Sequence, residues 1–131
     1  MTDLPTDCRT ILIVEDEPSL RDSLSMLMES AGYSVRVAGT GLDGMRAIEV
    51  ASPPVDAVVL DIGLPDIGGE EVFAFIRRDH PALKVIVVTG YAYQPVAQDL
   101  SRQADGFLEK PFSFACLAEE LKAVLAASRG S

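Results

Sequence analysis

Short apolar runs alternate along the chain with segments whose apolar residues recur at helical spacing. Most of these runs are wholly apolar and rich in β-branched residues, which is typical of parallel strands covered on both faces. The second run alternates apolar and polar residues instead. Together they predict five strands: Ile11–Val14, Ser34–Ala38, Ala57–Leu60, Val85–Val88 and Gly106–Glu109.

Five helices are predicted between and after these strands. The first begins near Pro18 and ends at Gly32, residues suited to the two ends of a helix, and Ser113 is expected to cap the fifth. The fourth, Pro95–Gln103, has the thinnest apolar stripe. The apolar stripe of the first helix is Leu20, Leu24, Leu27 and Met28, and that of the second is Leu42, Met45 and Ile48. The stripe of the third helix is Val72, Phe73 and Ile76, and that of the fifth is Leu117, Leu121, Val124 and Leu125.

This strict alternation of strand and helix predicts an α/β fold with a mostly parallel five-stranded sheet and helices on both faces. The chain of 131 residues is one domain long, and its apolar fraction of 48% is enough for a core. In such sheets, ligands bind at the carboxyl ends of the strands.

Composition excludes several classes of protein. The net charge of −9 argues against direct nucleic-acid binding, which needs basic patches. No apolar run is long enough to span a membrane, and the N-terminus lacks the layout of a secretory signal. Cys8 and Cys116 are too few for a disulfide framework, and the single histidine argues against a histidine-based metal site or triad. We therefore expect a cytoplasmic protein.

Polar side chains follow four of the five predicted strands at the point where each strand ends. In chain order they are Glu15 and Asp16, Asp61, Thr89 and Lys110. Two like charges about 4 Å apart repel by roughly 1 kcal/mol in water and by roughly 4 kcal/mol at an effective dielectric near 20. Either some of these carboxyls keep a proton or a cation lies between them, and oxygen ligands without His or Cys favour Mg²⁺ or a similar divalent ion. An aspartate beside such an ion can act as a nucleophile toward phosphorus, with Lys110 and Thr89 as partners for the phosphoryl oxygens.

Four motifs occur in order: ILIVEDEP, VVLDIGLPDIGG, VVTGYA and GFLEKPF. Each is weak alone, but at these spacings they make the chain resemble the receiver domain of two-component response regulators. The resemblance runs over residues 10–127, with a lead-in at 1–9 and a tail at 128–131. It implies a doubly wound, flavodoxin-like sheet with strand order 2-1-3-4-5.

The resemblance also implies a role for each residue of the site. Asp61 would accept a phosphoryl group from a histidine kinase or a histidine phosphotransfer protein. Glu15, Asp16, Asp61 and the backbone carbonyl of Gly63 would hold Mg²⁺ or Mn²⁺, with Asp16 the more direct ligand of the acidic pair. Thr89 and Lys110 would contact the phosphoryl group, and Thr89 and Phe107 would form a switch. The Lys110–Pro111 bond would be cis.

Three positions depart from the commonest receiver pattern. Glu15 replaces an aspartate, and its longer side chain would reach the ion through water. Phe107 lacks the hydroxyl of the more frequent tyrosine. Tyr91, two residues past Thr89, is hypothesised to shield the phosphoryl group and slow its loss.

Other residues are given plainer interpretations. Cys116 is expected to be a small buried residue, and Arg77 and Arg78 to form the solvated end of a helix. Gly68 and Gly69 are interpreted as a turn and the start of a helix, because the Lys-Ser/Thr of a phosphate-binding loop does not follow them.

The main functional prediction is a phosphorelay receiver that is not an enzyme and binds a downstream protein through the fourth helix, last strand and fifth helix. The chain ends soon after the fifth helix, so we expect no DNA-binding output domain. Three arrangements stay open: a free-standing regulator, a homodimer, and a module of a hybrid kinase or multidomain regulator. Two alternatives are a receiver that binds partners constitutively and a small Mg²⁺-dependent phosphatase. Such phosphatases usually carry a second acid two residues after the nucleophile, where Gly63 stands.

Overall fold

A computed structural model describes residues 9–127. Five strands and five helices alternate strictly along these residues. The strands are β1 Thr10–Val14, β2 Ser34–Ala38, β3 Ala57–Asp61, β4 Lys84–Thr89 and β5 Gly106–Glu109. The helices are α1 Pro18–Ser30, α2 Gly41–Val50, α3 Gly69–Asp79, α4 Pro95–Gln103 and α5 Phe114–Ala126. All predicted strands are confirmed to within one residue at each end.

The strands form one parallel sheet in the order β2-β1-β3-β4-β5, as expected. β1, β3 and β4 are buried along their whole length, which explains the unbroken apolar runs Ile11–Val14, Ala57–Leu60 and Val85–Val88 within them. β2 lies at an edge of the sheet and is mostly accessible, which explains its alternating sequence.

Two apolar layers cover the sheet. One packs α2, α3 and α4 against one face and includes Val72 and Ile76, and the other packs α1 and α5 against the opposite face and includes Met28 and Leu121. The expected helix ends are confirmed for α1 and α5: Gly32 has a φ of +103° after α1, and the Ser113 hydroxyl accepts the Cys116 N–H.

Two residues of the predicted apolar stripes lie outside the core. Leu27 is 42% exposed and Leu42 is 55% exposed. In α2 a glycine, Gly44, lies against β1 beside the buried Ile48: a Cβ on Gly44 would lie 3.0 Å from the Val14 side chain. This close approach of helix to strand explains why the stripe of α2 looked weak in the sequence.

Two other interpretations are wrong. Cys116 is exposed, because it lies on the outer side of the first turn of α5; Cys8 falls outside the described residues. Arg77 is not solvated, since its side chain is 22% exposed and its guanidinium lies 4.8 Å from the Phe73 ring centroid. Arg78, 69% exposed, is the solvated residue of the pair.

Candidate functional site

The carboxyl ends of the strands bring together residues that are far apart in sequence. Glu15 and Asp16 follow β1, Asp61 ends β3, and Lys110 follows β5. One ligand oxygen from each of the three carboxylates lies within 4.8 Å of the others. Glu15 and Asp61 are only 3% and 6% exposed, whereas Asp16 is exposed to solvent. The site therefore consists of two buried acids and one accessible acid.

Lys110 joins the two buried acids. Its Nζ lies 2.9 Å from Glu15 Oε1 and 3.0 Å from Asp61 Oδ2. Burial lowers the pKa of Lys110, but its hydrogen bonds with Glu15 and Asp61 outweigh that effect and raise the pKa above 10.5. Lys110 is therefore charged at neutral pH. The bond to Pro111 is cis, as expected, and so is the Ser52–Pro53 bond.

Three hydrogen bonds and the Lys110 contact fix Glu15 in place. Its backbone N–H donates to the Ala38 carbonyl at 3.0 Å, and its carbonyl accepts from Arg21 at 3.0 Å. Its Oε2 accepts the Glu17 N–H at 3.1 Å. Burial raises the pKa of Glu15, although its bond with Lys110 opposes this shift. Sequence reasoning missed Arg21, because a partially exposed arginine on an amphipathic helix carries no signal for a backbone contact.

The loop after Asp61 holds the carboxylate and ties it to a neighbouring helix. The Gly63 N–H donates to Asp61 Oδ1 at 2.9 Å. Three residues further on, Asp66 accepts the Gly41 N–H at 2.8 Å and the Leu42 N–H at 2.9 Å, at the start of α2. These backbone hydrogen bonds lower the pKa of Asp66. Sequence reasoning missed this contact too, since an aspartate after a proline in a loop usually signals only a turn.

Thr89 and Phe107 lie on the β4–β5 side of the site. Thr89 is 4% exposed, its hydroxyl oxygen accepts the Tyr91 N–H at 3.0 Å, and its carbonyl accepts the Lys110 N–H at 2.8 Å. Phe107 is half-buried and packs against the apolar layer beneath α3 and α4. The Phe107 N–H donates to Glu120 of α5 at 3.2 Å, so the backbone of β5 is tied to that helix.

The chemistry of the site suits a hard divalent cation. Three carboxylates and one ammonium carry a net charge of −2 when all are ionised, which a divalent ion would neutralise. The donors are oxygens only, the ligand type preferred by Mg²⁺, Mn²⁺ and Ca²⁺ over softer metals. The cluster can thus hold a metal ion, and it lies where ligands bind in doubly wound sheets.

The fold and this cluster define a doubly wound α/β protein with an acidic, lysine-bridged site at the carboxyl ends of its strands. Residues 11–122 match the model of the response regulator receiver domain, and the chain belongs to that family. None of the helices within residues 9–127 is long and apolar enough to cross a membrane.

Known proteins agree with this assignment. The chain is 38% identical over 117 residues to the sensor kinase CckA of Brucella abortus, covering 88% of this chain and 12% of that protein. A CheY-like receiver domain structure from Methanospirillum hungatei superposes with a TM-score of 0.85 at 33% identity, covering 91% and 94% of the two chains. The regulator TrrA of Thermotoga maritima, solved with Mg²⁺ and BeF, gives 0.79 at 32% identity, covering 88% and 98%. The chain spans at most about half the length of the first curated relatives it matches.

Proposed function

We propose that Asp61 accepts a phosphoryl group from a phosphohistidine partner and that this step switches which proteins the chain binds. One observation carries the proposal: a nearly buried aspartate at the end of β3 has Lys110 Nζ 3.0 Å from its Oδ2 and lies within 4.8 Å of ligand oxygens from two more carboxylates. A purely structural aspartate would not need two further acids beside it.

In the proposed reaction, one carboxylate oxygen of Asp61 attacks phosphorus. The P–N bond to the donor imidazole breaks, and the imidazole leaves with that electron pair and takes up a proton from solvent. The Gly63 N–H, 2.9 Å from Asp61 Oδ1, orients the carboxylate for this attack. The donor would be a sensor histidine kinase or a histidine phosphotransfer protein, consistent with the sensor kinase among the relatives.

Asp16 and Asp61 would ligate Mg²⁺ or Mn²⁺ directly, with the Gly63 carbonyl as a further ligand and Glu15 acting through water. Glu15 fits the indirect role, because both of its carboxylate oxygens are already engaged by Lys110 and the Glu17 N–H. Asp16 fits the direct role, because it is the accessible acid. The bound ion would supply positive charge that neutralises the phosphoryl oxygens as they approach the acids.

Lys110 and Thr89 would hold the phosphoryl group. Lys110 would exchange its contact with Asp61 Oδ2 for a phosphoryl oxygen while Glu15 keeps it in place. The Thr89 oxygen already accepts from Tyr91, so its own hydrogen is available to donate to the phosphoryl group.

Movement of Thr89 would let Phe107 turn further inward and alter the face formed by α4, β5 and α5. That face would bind the downstream protein or a second copy of the chain, and the chain itself would not turn over a substrate. We place the receiver domain at residues 10–127 and in the cytoplasm, with no direct contact to nucleic acid or membrane. A phosphatase is disfavoured, because Gly63 stands where such enzymes carry a second acid.

Intact-protein mass spectrometry after incubation with acetyl phosphate tests the proposal. The wild type should gain the mass of one phosphoryl group with Mg²⁺ but not with EDTA, and Asp61→Asn should gain none. Asp22→Asn is the control, because it changes an exposed aspartate of α1 outside the acidic cluster and should be labelled like the wild type. Labelling of Asp61→Asn, or labelling of the wild type that ignores Mg²⁺, would refute the assignment.

A further inference from the structure

Arg77 reaches from the C-terminal end of α3 to three other segments. One of its terminal nitrogens donates to the Leu83 carbonyl at 3.2 Å. The other donates to the Gln103 carbonyl at 3.0 Å and to Asp105 Oδ2 at 3.1 Å. The guanidinium also lies 4.8 Å from the centroid of the Phe73 ring. A single side chain thus connects α3, the loop before β4, the end of α4 and the loop before β5.

The two ends of α4 are held very differently. At its C-terminal end, Gln103 is bonded to Arg77 and Leu100 is buried. At its N-terminal end, Ala97 is buried and the Gln98 side chain donates to the Tyr93 carbonyl at 3.2 Å, but no side chain caps the helix, and Tyr91 and Tyr93 of the preceding loop are 59% and 72% exposed. Both halves of α4 have a buried residue, but only the C-terminal end is held by a charge-assisted hydrogen bond from another element. Since such bonds resist local opening, the N-terminal end is the freer of the two.

Arg77 also fixes the start of β5. Asp105 Oδ2 accepts both from Arg77 and from the Val85 N–H at 2.9 Å, and the Asp105 N–H donates to the Val85 carbonyl at 2.9 Å. Phe107 and Lys110 follow two and five residues later on the same strand and its end. The contact therefore sets the position of the strand that leads into the site.

We propose that Arg77 is a positioning residue that pins the C-terminal end of α4 and the start of β5 to α3 and β4. When Asp61 is phosphorylated, α4 pivots about this pinned end. The structural change is then confined to the loop at residues 90–94 and the first half of the helix. The inference rests on the proposed function, because it describes how the same site reaches α4.

Hydrogen exchange followed by mass spectrometry on the whole chain tests this, with and without beryllofluoride and Mg²⁺. In the wild type, beryllofluoride should change exchange over residues 90–99 and leave residues 100–105 unchanged. In Arg77→Met, residues 100–105 should exchange about tenfold faster or more without ligand, the size expected when charge-assisted bonds are lost. The change caused by beryllofluoride should then spread into residues 100–105. A loss of stability alone would not move the boundary of the ligand effect.

Two further variants sharpen the test. Arg78→Met removes the neighbouring arginine, whose ion pair is with the adjacent Asp79, and should behave as the wild type. Arg77→Lys keeps a charge for Asp105 but lacks the planar fork that reaches two carbonyls, so it should show part of the spread. If circular dichroism shows that Arg77→Met is unfolded, Arg77→Lys alone tests whether the change spreads into residues 100–105.

The inference is overturned if the change in exchange caused by beryllofluoride ends at the same residue in Arg77→Lys as in the wild type. The same holds for Arg77→Met if that variant is folded. It is also overturned if beryllofluoride already alters residues 100–105 of the wild type as strongly as residues 90–99. Failure of the proposed function has a separate signature, since the wild type would then show no acetyl phosphate adduct.

Discussion

Replacing Asp16 by Asn should stabilise the protein in the absence of metal. Asp16 lies beside Glu15 and Asp61, with one ligand oxygen of each within 4.8 Å of the others. The Lys110 ammonium forms ion pairs with Glu15 and Asp61 but not with Asp16. In the absence of metal, Asp16 is therefore expected to cost folding stability through repulsion by the neighbouring acids.

The size of this effect follows from the geometry. At 4.8 Å, the upper limit of the separations in the cluster, two unit charges interact by about 0.9 kcal/mol in water and about 3.5 kcal/mol at an effective dielectric of 20. The Lys110 charge offsets one of the two repulsions that Asp16 experiences. Because Asp16 is exposed, the water-like value applies to the other, giving a gain of about 1 kcal/mol. For a chain of this length, that gain corresponds to a melting temperature higher by about 3–5 °C.

Urea denaturation in EDTA at low ionic strength measures the effect. Asp16→Asn should unfold at a higher urea concentration than the wild type, and the difference should shrink in about 1 M salt, where the screening length falls to about 3 Å. Adding Mg²⁺ should stabilise the wild type more than the variant. Asp22→Asn, which removes an exposed acid of α1 outside the cluster, should match the wild type. If Asp16→Asn is no more stable than the wild type in EDTA, repulsion within the cluster is not what destabilises the site.

Three further outcomes are expected. A methyl group on Gly69 would overlap the Ile62 backbone, so Gly69→Ala should lower the free energy of unfolding by about 1–3 kcal/mol, and an unchanged urea midpoint would contradict this packing. Burial raises the pKa of Glu15 in the folded chain above 4.5, its ordinary value in the unfolded chain. Between the unfolded and the folded pKa, the folded chain binds more protons than the unfolded chain, so its stability falls as pH rises. Urea midpoints of Glu15→Gln relative to the wild type should therefore improve with pH through that window, and a flat difference would argue against a raised pKa. Tyr91→Ala should lose the Asp61 phosphoryl group faster, as followed by intact mass after removal of acetyl phosphate, and an unchanged lifetime would remove the shielding hypothesis.

The strands could be predicted because burial on both faces requires a run of apolar residues, which is visible in the sequence. A strand covered on both faces is expected to be apolar along its interior, and β1, β3 and β4 are apolar except at their end residues. α2 was harder, because its contact with β1 is made through Gly44, and a glycine adds no apolar signal to a helical stripe. Leu27 and Leu42 show the reverse case, in which apolar residues at helical spacing remain on the surface.

In the site, the acids and the lysine were predictable from their positions after the strands, since parallel strands place their carboxyl ends at one edge of the sheet. Their individual states were not. The sequence does not distinguish buried Glu15 from exposed Asp16, although they are neighbours, because burial depends on what packs above each side chain. The hydrogen bond of Asp66 to Gly41 joins residues 25 apart in sequence, and that of Arg21 joins α1 to the carbonyl of Glu15 after β1.

The sequence by itself determined the alternating architecture, the strands and the identity of the groups that meet at the carboxyl edge, because each depends on local periodicity and on the order of elements. Tertiary structure alone decided that Lys110 bridges two buried acids, that Cys116 is exposed and that Arg77 is a contact among four segments. These features depend on which surfaces meet across the fold. A charged side chain has the same local sequence whether it lies in water or bonds to the end of another helix, so only the packed chain distinguishes the two.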